Sequence, residues 1–143
     1  MSRRRSCVAG AATLLGAGLS LSGCFTERQN EGARIYATHC ANCHGAQGEG
    51  LQRLIPPLAR ADYLTKNRAN LACLLRKGLQ GPLVVNGVEF NQVMPAADSH
   101  LTDSQLTNLL NFVQTSWGNQ GEVFTISEVS AQLEGCGVVP DSR

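Results

Sequence analysis

Residues 40–44 read Cys40-Ala41-Asn42-Cys43-His44, a C-x-x-C-H run. It is the attachment signature of a c-type haem, and each residue in it has a separate chemical task. Two thiols add across the vinyl groups of the porphyrin as thioethers, and a two-residue gap on a helix lets both reach one edge of the ring. The adjacent imidazole then swings beneath the iron as proximal ligand. A C-x-x-C pair alone also serves as a redox dithiol on a βαβ unit or as half of a zinc site. No βαβ pattern surrounds this one, no second Cys/His pair lies at zinc spacing, and the histidine is adjacent as haem requires.

Upstream lies a targeting segment. Met1-Ser2-Arg3-Arg4-Arg5 is a basic start, and Val8 to Leu21 is an apolar run rich in Ala, Gly and Leu. That run is too short and too rich in glycine to span a membrane as a stable helix. It ends Leu21-Ser22-Gly23-Cys24, which resembles a bacterial lipobox, where the cysteine is lipidated and becomes the new N-terminus. Plain secretion is the alternative, with Cys24 left as an exposed thiol. Several acyl chains on Cys24, each buried CH₂ contributing about 0.8 kcal/mol, would hold the chain on the membrane. The expected organisation is a signal peptide over 1–23, a short tether over 24–30, a haem-binding domain over 31–119 and a C-terminal extension over 120–143 packed on that domain. Six tether residues reach at most about 20 Å. Phe25, rather than Asp, after the lipid cysteine leans toward the outer membrane.

The whole chain carries 12 basic and 11 acidic side chains, and three arginines leave with the signal, so the rest has 9 against 11, a net of −2. No basic patch points to nucleic acid, and no block of like charge points to a disordered interaction tail. The 120 residues from Cys24 onward suffice for one domain with one core. Aromatics are only 5% of the chain, so a covalent haem would supply apolar bulk that the side chains lack.

Periodicity predicts a mainly α chain. Gly32, Ile35, Tyr36 and Cys40 share one face of a helix running from Asn30 into the haem motif, and Leu71, Leu74, Leu75 and Leu79 do the same over Asn67–Leu79, with Gly78 as a stop. Thr102 and Gln105 form a capping box opening a helix that carries Leu106, Leu109, Leu110, Val113 and Trp117 and stops at Gly118-Asn119. Between these, Leu83 to Phe90 centres on Asn86-Gly87, the pattern of a type I′ hairpin. A last helix over Ile126–Leu133 is expected, capped by Thr125 and Glu128.

This order of elements resembles class I cytochrome c over essentially the whole region after the signal: early helix with a glycine, haem motif, Pro-Leu loop, middle helix, Met-Pro segment and capped late helix. The resemblance implies an all-α fold of three to five helices around one covalent haem c, with a small β-hairpin before the axial methionine. It also implies a close crossing of the first and last helices, Gly32 against Phe112. The sixth iron ligand would be Met94, the only methionine left once Met1 is removed, in Val93-Met94-Pro95. A thioether is soft and neutral and favours reduced iron; the alternative is that Met94 fills a gap beside the ring. His39, which should point away on the attachment helix, and His100, in a surface loop, are the rivals. In Pro56-Pro57-Leu58 the family pattern makes the Pro56 carbonyl the acceptor for the other ring N–H of His44. Leu58 would pack on the haem and Arg60 would approach a propionate.

Cys73 and Cys136 remain. In an oxidising compartment an even remainder of two suggests a disulfide clamping the tail to the middle helix, stabilising by roughly 4 to 5 kcal/mol in the chain-entropy model, against two free thiols. An iron closed by imidazole and thioether has no open position for substrate. The function implied is therefore outer-sphere electron transfer by a membrane-tethered carrier on the periplasmic side of the bacterial envelope, not catalysis. Its partners would be donor and acceptor redox proteins, with no nucleic acid. The Ser116-Trp117-Gly118-Asn119 stretch and the hairpin look like cytochrome domains that accompany periplasmic dehydrogenases or nitrite reductase, a likeness that does not identify a partner. Alternatives are a fixed electron-transfer subunit of a dehydrogenase or reductase, and a haem enzyme or gas sensor with a labile methionine.

Overall fold

A computed structural model describes residues 23–136, with side chains from Glu27 onward. The expected signal peptide up to residue 22, the side chain of Cys24 and residues 137–143 lie outside the described residues. The elements are α1 (Gly23–His39), α2 (Ala41–His44), α3 (Asp62–Lys66), a 3₁₀ turn (Arg68–Asn70), α4 (Leu71–Lys77), β1 (Leu83–Val85), β2 (Val88–Phe90), α5 (Asp103–Thr115) and α6 (Ile126–Glu134). Among the described residues no helix is long and apolar enough to cross a membrane.

Helix α1 begins seven residues earlier than periodicity predicts, so the expected tether is helical. Six helical residues rise only about 9 Å, less than half the reach of an extended linker. The helix crosses α5 at Gly32, where an added Cβ would overlap the Asn108 carbonyl oxygen and lie 2.7 Å from Phe112 Cβ. Backbone contact at that crossing is possible because the glycine has no side chain. Tyr36, Phe112 and Trp117 then pack as a trio beside it, with ring centroids 4.7 to 5.6 Å apart.

Helix α5 forms the spine of the core. Leu106 and Leu109 are fully buried on it and meet Ile35, Leu64, Leu71 and Phe90. Its first turn is closed by the capping box of Thr102 and Gln105, and α6 is opened the same way by Thr125 and Glu128. At its other end α5 stops at Thr115, short of Trp117, because Asn119 Nδ2 donates to the Val113 carbonyl (2.7 Å) and the Leu58 carbonyl (2.9 Å). Trp117 sits in the following turn with φ 52°.

The middle helix is also shorter than predicted. Gly78, at φ 75°, ends it at Lys77, and a 3₁₀ turn replaces its first residues. Helix α3 has five residues, too few for a periodic signal. The hairpin pairs Leu83 with Phe90 and Val85 with Val88. Asn86 and Gly87 both have positive φ, 51° and 77°, as a type I′ turn requires. Asn86 and Asp62 exchange backbone-to-side-chain hydrogen bonds (2.7 and 3.0 Å), fixing the turn to the start of α3.

The extension is held at many points. Arg68 stacks over Phe124, 3.9 Å from the ring centroid, and pairs with Glu128 at 3.1 Å. Asn111 binds the Phe124 backbone in both directions. A disulfide joins Cys73 of α4 to Cys136, with Cα atoms 5.4 Å apart.

Candidate functional site

The C-x-x-C-H run occupies the junction of α1 and α2. Cys40 N–H bonds to the Tyr36 carbonyl (2.8 Å), and Cys43 and His44 N–H both return to the Cys40 carbonyl (3.1 and 2.9 Å). This tight turn sets both thiols on one rim. Cys40 is half-buried and Cys43 exposed, and neither is in a disulfide. Gly45, at φ 81°, ends the turn, and the Tyr36 hydroxyl donates to its carbonyl at 2.6 Å.

His44 is 7% exposed. Its Nδ1–H donates to the Pro56 carbonyl at 3.1 Å, leaving Nε2 as the free donor atom of the ring. Gly50 makes this approach possible: at φ 70°, a Cβ there would lie 2.8 Å from the carbonyl carbon of Pro56. The segment is held further by Gly50 N–H on the His44 carbonyl (2.7 Å) and Leu58 N–H on the Gly48 carbonyl (2.8 Å).

His44 and Pro56 open onto an apolar cleft with about 1030 Å³ of empty space, its open mouth included. Cys40 and Cys43 are also in its lining. Leu79, Leu83, Val85 and Met94 line it too, with Leu109, Leu110 and Val113 of α5 among the remaining apolar residues. Met94 is fixed by its backbone, N–H to the Leu79 carbonyl (3.0 Å) and carbonyl to the Leu79 N–H (2.9 Å). Gly78 permits this pairing, since a Cβ there would overlap the Met94 carbonyl.

Electrostatics suit a neutral donor set. Burial holds the His44 imidazole below its ordinary pKa, offset in part by the Pro56 carbonyl. It is therefore neutral and free to bind metal near pH 7. Burial, then the neighbouring Cys43, pushes the Cys40 thiol up to about 11. Burial raises the Tyr36 hydroxyl as well, followed by the charges of Cys40 and Glu49.

His39 and His100 are both exposed and lie outside the cleft lining. Leu58 is in the lining. Arg60, at φ 51°, lies along Gly118, where a Cβ would be 2.9 Å from its Nε, and it is not in the lining. Gly50, Gly78 and Leu79 are the supporting residues that sequence reasoning missed. The positive φ of Gly50 and Gly78 and the backbone pairing of Leu79 with Met94 depend on tertiary contacts, and a glycine in a loop carries no signal that separates such a role from an ordinary turn.

The residues fit a haem: two thiols, a buried imidazole with one nitrogen tied and a thioether share one mostly apolar cleft. The Cytochrome c family profile matches residues 29–117. Cytochrome c-552 of Thermus thermophilus is 39% identical over 127 residues, covering 82% of this chain and 80% of the relative. The cytochrome c subunit of a quinone alcohol dehydrogenase from Gluconobacter oxydans is 34% identical over 91 residues, 63% of this chain but only 19% of that subunit. The gluconate 2-dehydrogenase cytochrome c subunit of Pantoea cypripedii is 30% identical over 104 residues, 71% of this chain and 23% of the subunit. The match implies a covalently bound haem c.

Proposed function

The chain belongs to the cytochrome c family, and from that premise we propose that it is a single-haem electron carrier of the cell envelope, tethered through Cys24, with His44 and Met94 as axial ligands and Cys40 and Cys43 as the covalent anchors. Its mainly helical fold with one small hairpin is that of class I cytochrome c, and the family's activity is electron transfer. The observation that carries the ligand assignment is that His44 and Met94 line one apolar cleft with both motif thiols at its rim.

When bound, the haem supplies a one-electron iron couple. The protein's part is to bind, orient and exclude water. The Pro56 carbonyl fixes the His44 ring and strengthens its donation. The Leu79 pairing fixes the backbone of Met94. Leucine and valine walls keep water out, which disfavours the more highly charged oxidised state. His44 and Met94 would together hold the iron, which would leave it no open position for a substrate.

A lipid on Cys24, in the first turn of α1, would hold the haem domain against a bilayer on the periplasmic side, close to membrane-bound redox partners. A second reading, a fixed subunit of a dehydrogenase, is favoured by the subunit relatives. The carrier reading follows the Thermus relative, matched over 80% of its length, whereas the subunits are matched over 19% and 23% of theirs. Co-purification from detergent-solubilised membranes separates the two, a free carrier leaving without stoichiometric dehydrogenase. For the closed iron, the test is carbon monoxide: the ferrous protein should bind it slowly or not at all, and rapid binding would favour a haem enzyme or sensor.

A further inference from the structure

Helix α4 is seven residues long and its N-cap, Asn70, makes no side-chain capping bond. So short a helix is not stable by itself, and the N–H groups of its first turn need partners from elsewhere. Gln132 of α6 provides that support. Its Oε1 accepts from Ala72 N–H (3.1 Å) and its Nε2 donates to the Arg68 carbonyl (3.2 Å). The next residue, Cys73, is bonded to Cys136, and one turn further along Lys77 Nζ donates to the Cys136 carbonyl. The C-terminal end of the same helix carries the Met94 segment. The Leu75 carbonyl accepts from Ala97 N–H (2.8 Å), and Leu79, two residues past α4, pairs with Met94.

We propose that the C-terminal extension is a brace for Met94, with Cys73, Cys136 and Gln132 acting through α4 as positioning residues for the axial sulfur. The inference rests on the reading of Met94 as ligand. The extension holds α4 through Ala72, Cys73 and Lys77, the Met94 segment hangs from its C-terminal end through Leu75 and Leu79, and a helix too short to hold its own geometry connects them. Opening the disulfide or deleting the Gln132 amide frees α4 to shift and lets Met94 leave the iron more often.

The test is displacement of Met94 by imidazole in the ferric holoprotein, followed by loss of the weak far-red band that marks methionine sulfur on ferric haem. C73S/C136S and Gln132→Ala, the latter keeping the disulfide, are compared with wild type. Gly32→Ala strains the crossing of α1 and α5, where the nearest atoms belong to Asn108 and Phe112, and serves as the control for general destabilisation. The imidazole concentration for half displacement should fall about 3- to 30-fold in the two brace variants and stay at the wild-type value in Gly32→Ala. Brace variants that fold, keep the band and bind imidazole as wild type does would overturn the inference. So would failure of both to mature, because the extension would then serve folding as a whole. A wild-type ferric protein without the far-red band would instead remove the ligand reading on which the inference stands.

Discussion

His44 and Pro56, twelve residues apart, are joined by a 3.1 Å hydrogen bond from the imidazole Nδ1–H to the proline carbonyl. Pro56 and Pro57 have no N–H to compete for local pairing, so the loop is stiff and its carbonyl faces the ring. The bond is reached only because Gly50 lets the two segments touch.

Gly50→Ala should therefore act at a distance on the imidazole. The positive φ and the contact with the Pro56 carbonyl carbon predict a loss of about 1–3 kcal/mol in denaturant unfolding. A weakened hydrogen bond makes His44 a poorer donor, which should raise the reduction potential. A redox titration in which the potential stays fixed or falls would contradict this.

Gly32→Val should separate α1 from α5, since even a Cβ overlaps the Asn108 carbonyl. Overpacking of this kind costs about 1–3 kcal/mol or more. Guanidinium unfolding should show an earlier midpoint, with the fluorescence of Trp117 altered because its ring packs on Tyr36 and Phe112 beside the same crossing.

Thr102→Ala removes one half of the α5 capping box. The expected cost is about 1 kcal/mol, read as a lower midpoint with an unchanged haem spectrum. A spectrum that changes would mean that the cap reaches the site.

Acid should loosen the extension through Glu128. The Thr125 N–H, the Thr125 hydroxyl and Arg68 hold its carboxyl below the ordinary value of 4.5. The folded chain thus binds this proton less readily than the unfolded chain. The stabilisation is complete above 4.5 and is lost as pH falls through the lower folded value. Glu128→Gln should be less stable than wild type at neutral pH, and the gap should close in acid. Parallel stability curves at all pH values would refute the assignment.

Local chemistry was legible in the sequence. Asn86-Gly87 needs two positive φ values and has them, and Thr102/Gln105 and Thr125/Glu128 announce their helices within four residues. Long-range support was not. Leu79 reads as one more leucine on a helix face, yet it lies beyond the Gly78 stop and pairs with Met94. Trp117 continues the α5 periodicity, but Asn119 bonds to the carbonyls of Leu58 and Val113 and the chain turns away first. Helix α3 owes its place to Asn86, 24 residues downstream. Cys73 and Cys136 were paired from an even count of thiols and an oxidising compartment, neither of which predicts that Gln132 would support the same helix.

Intact mass of the unreduced, thiol-alkylated protein tests the central claim most directly. A coloured chain from Glu27 onward, matured in a host equipped for haem attachment, should be one haem heavier than its sequence, keep its pigment in acidic acetone and take up no alkyl group. A chain at its bare mass, with Cys40 and Cys43 alkylated and the pigment extracted or absent, would contradict the account.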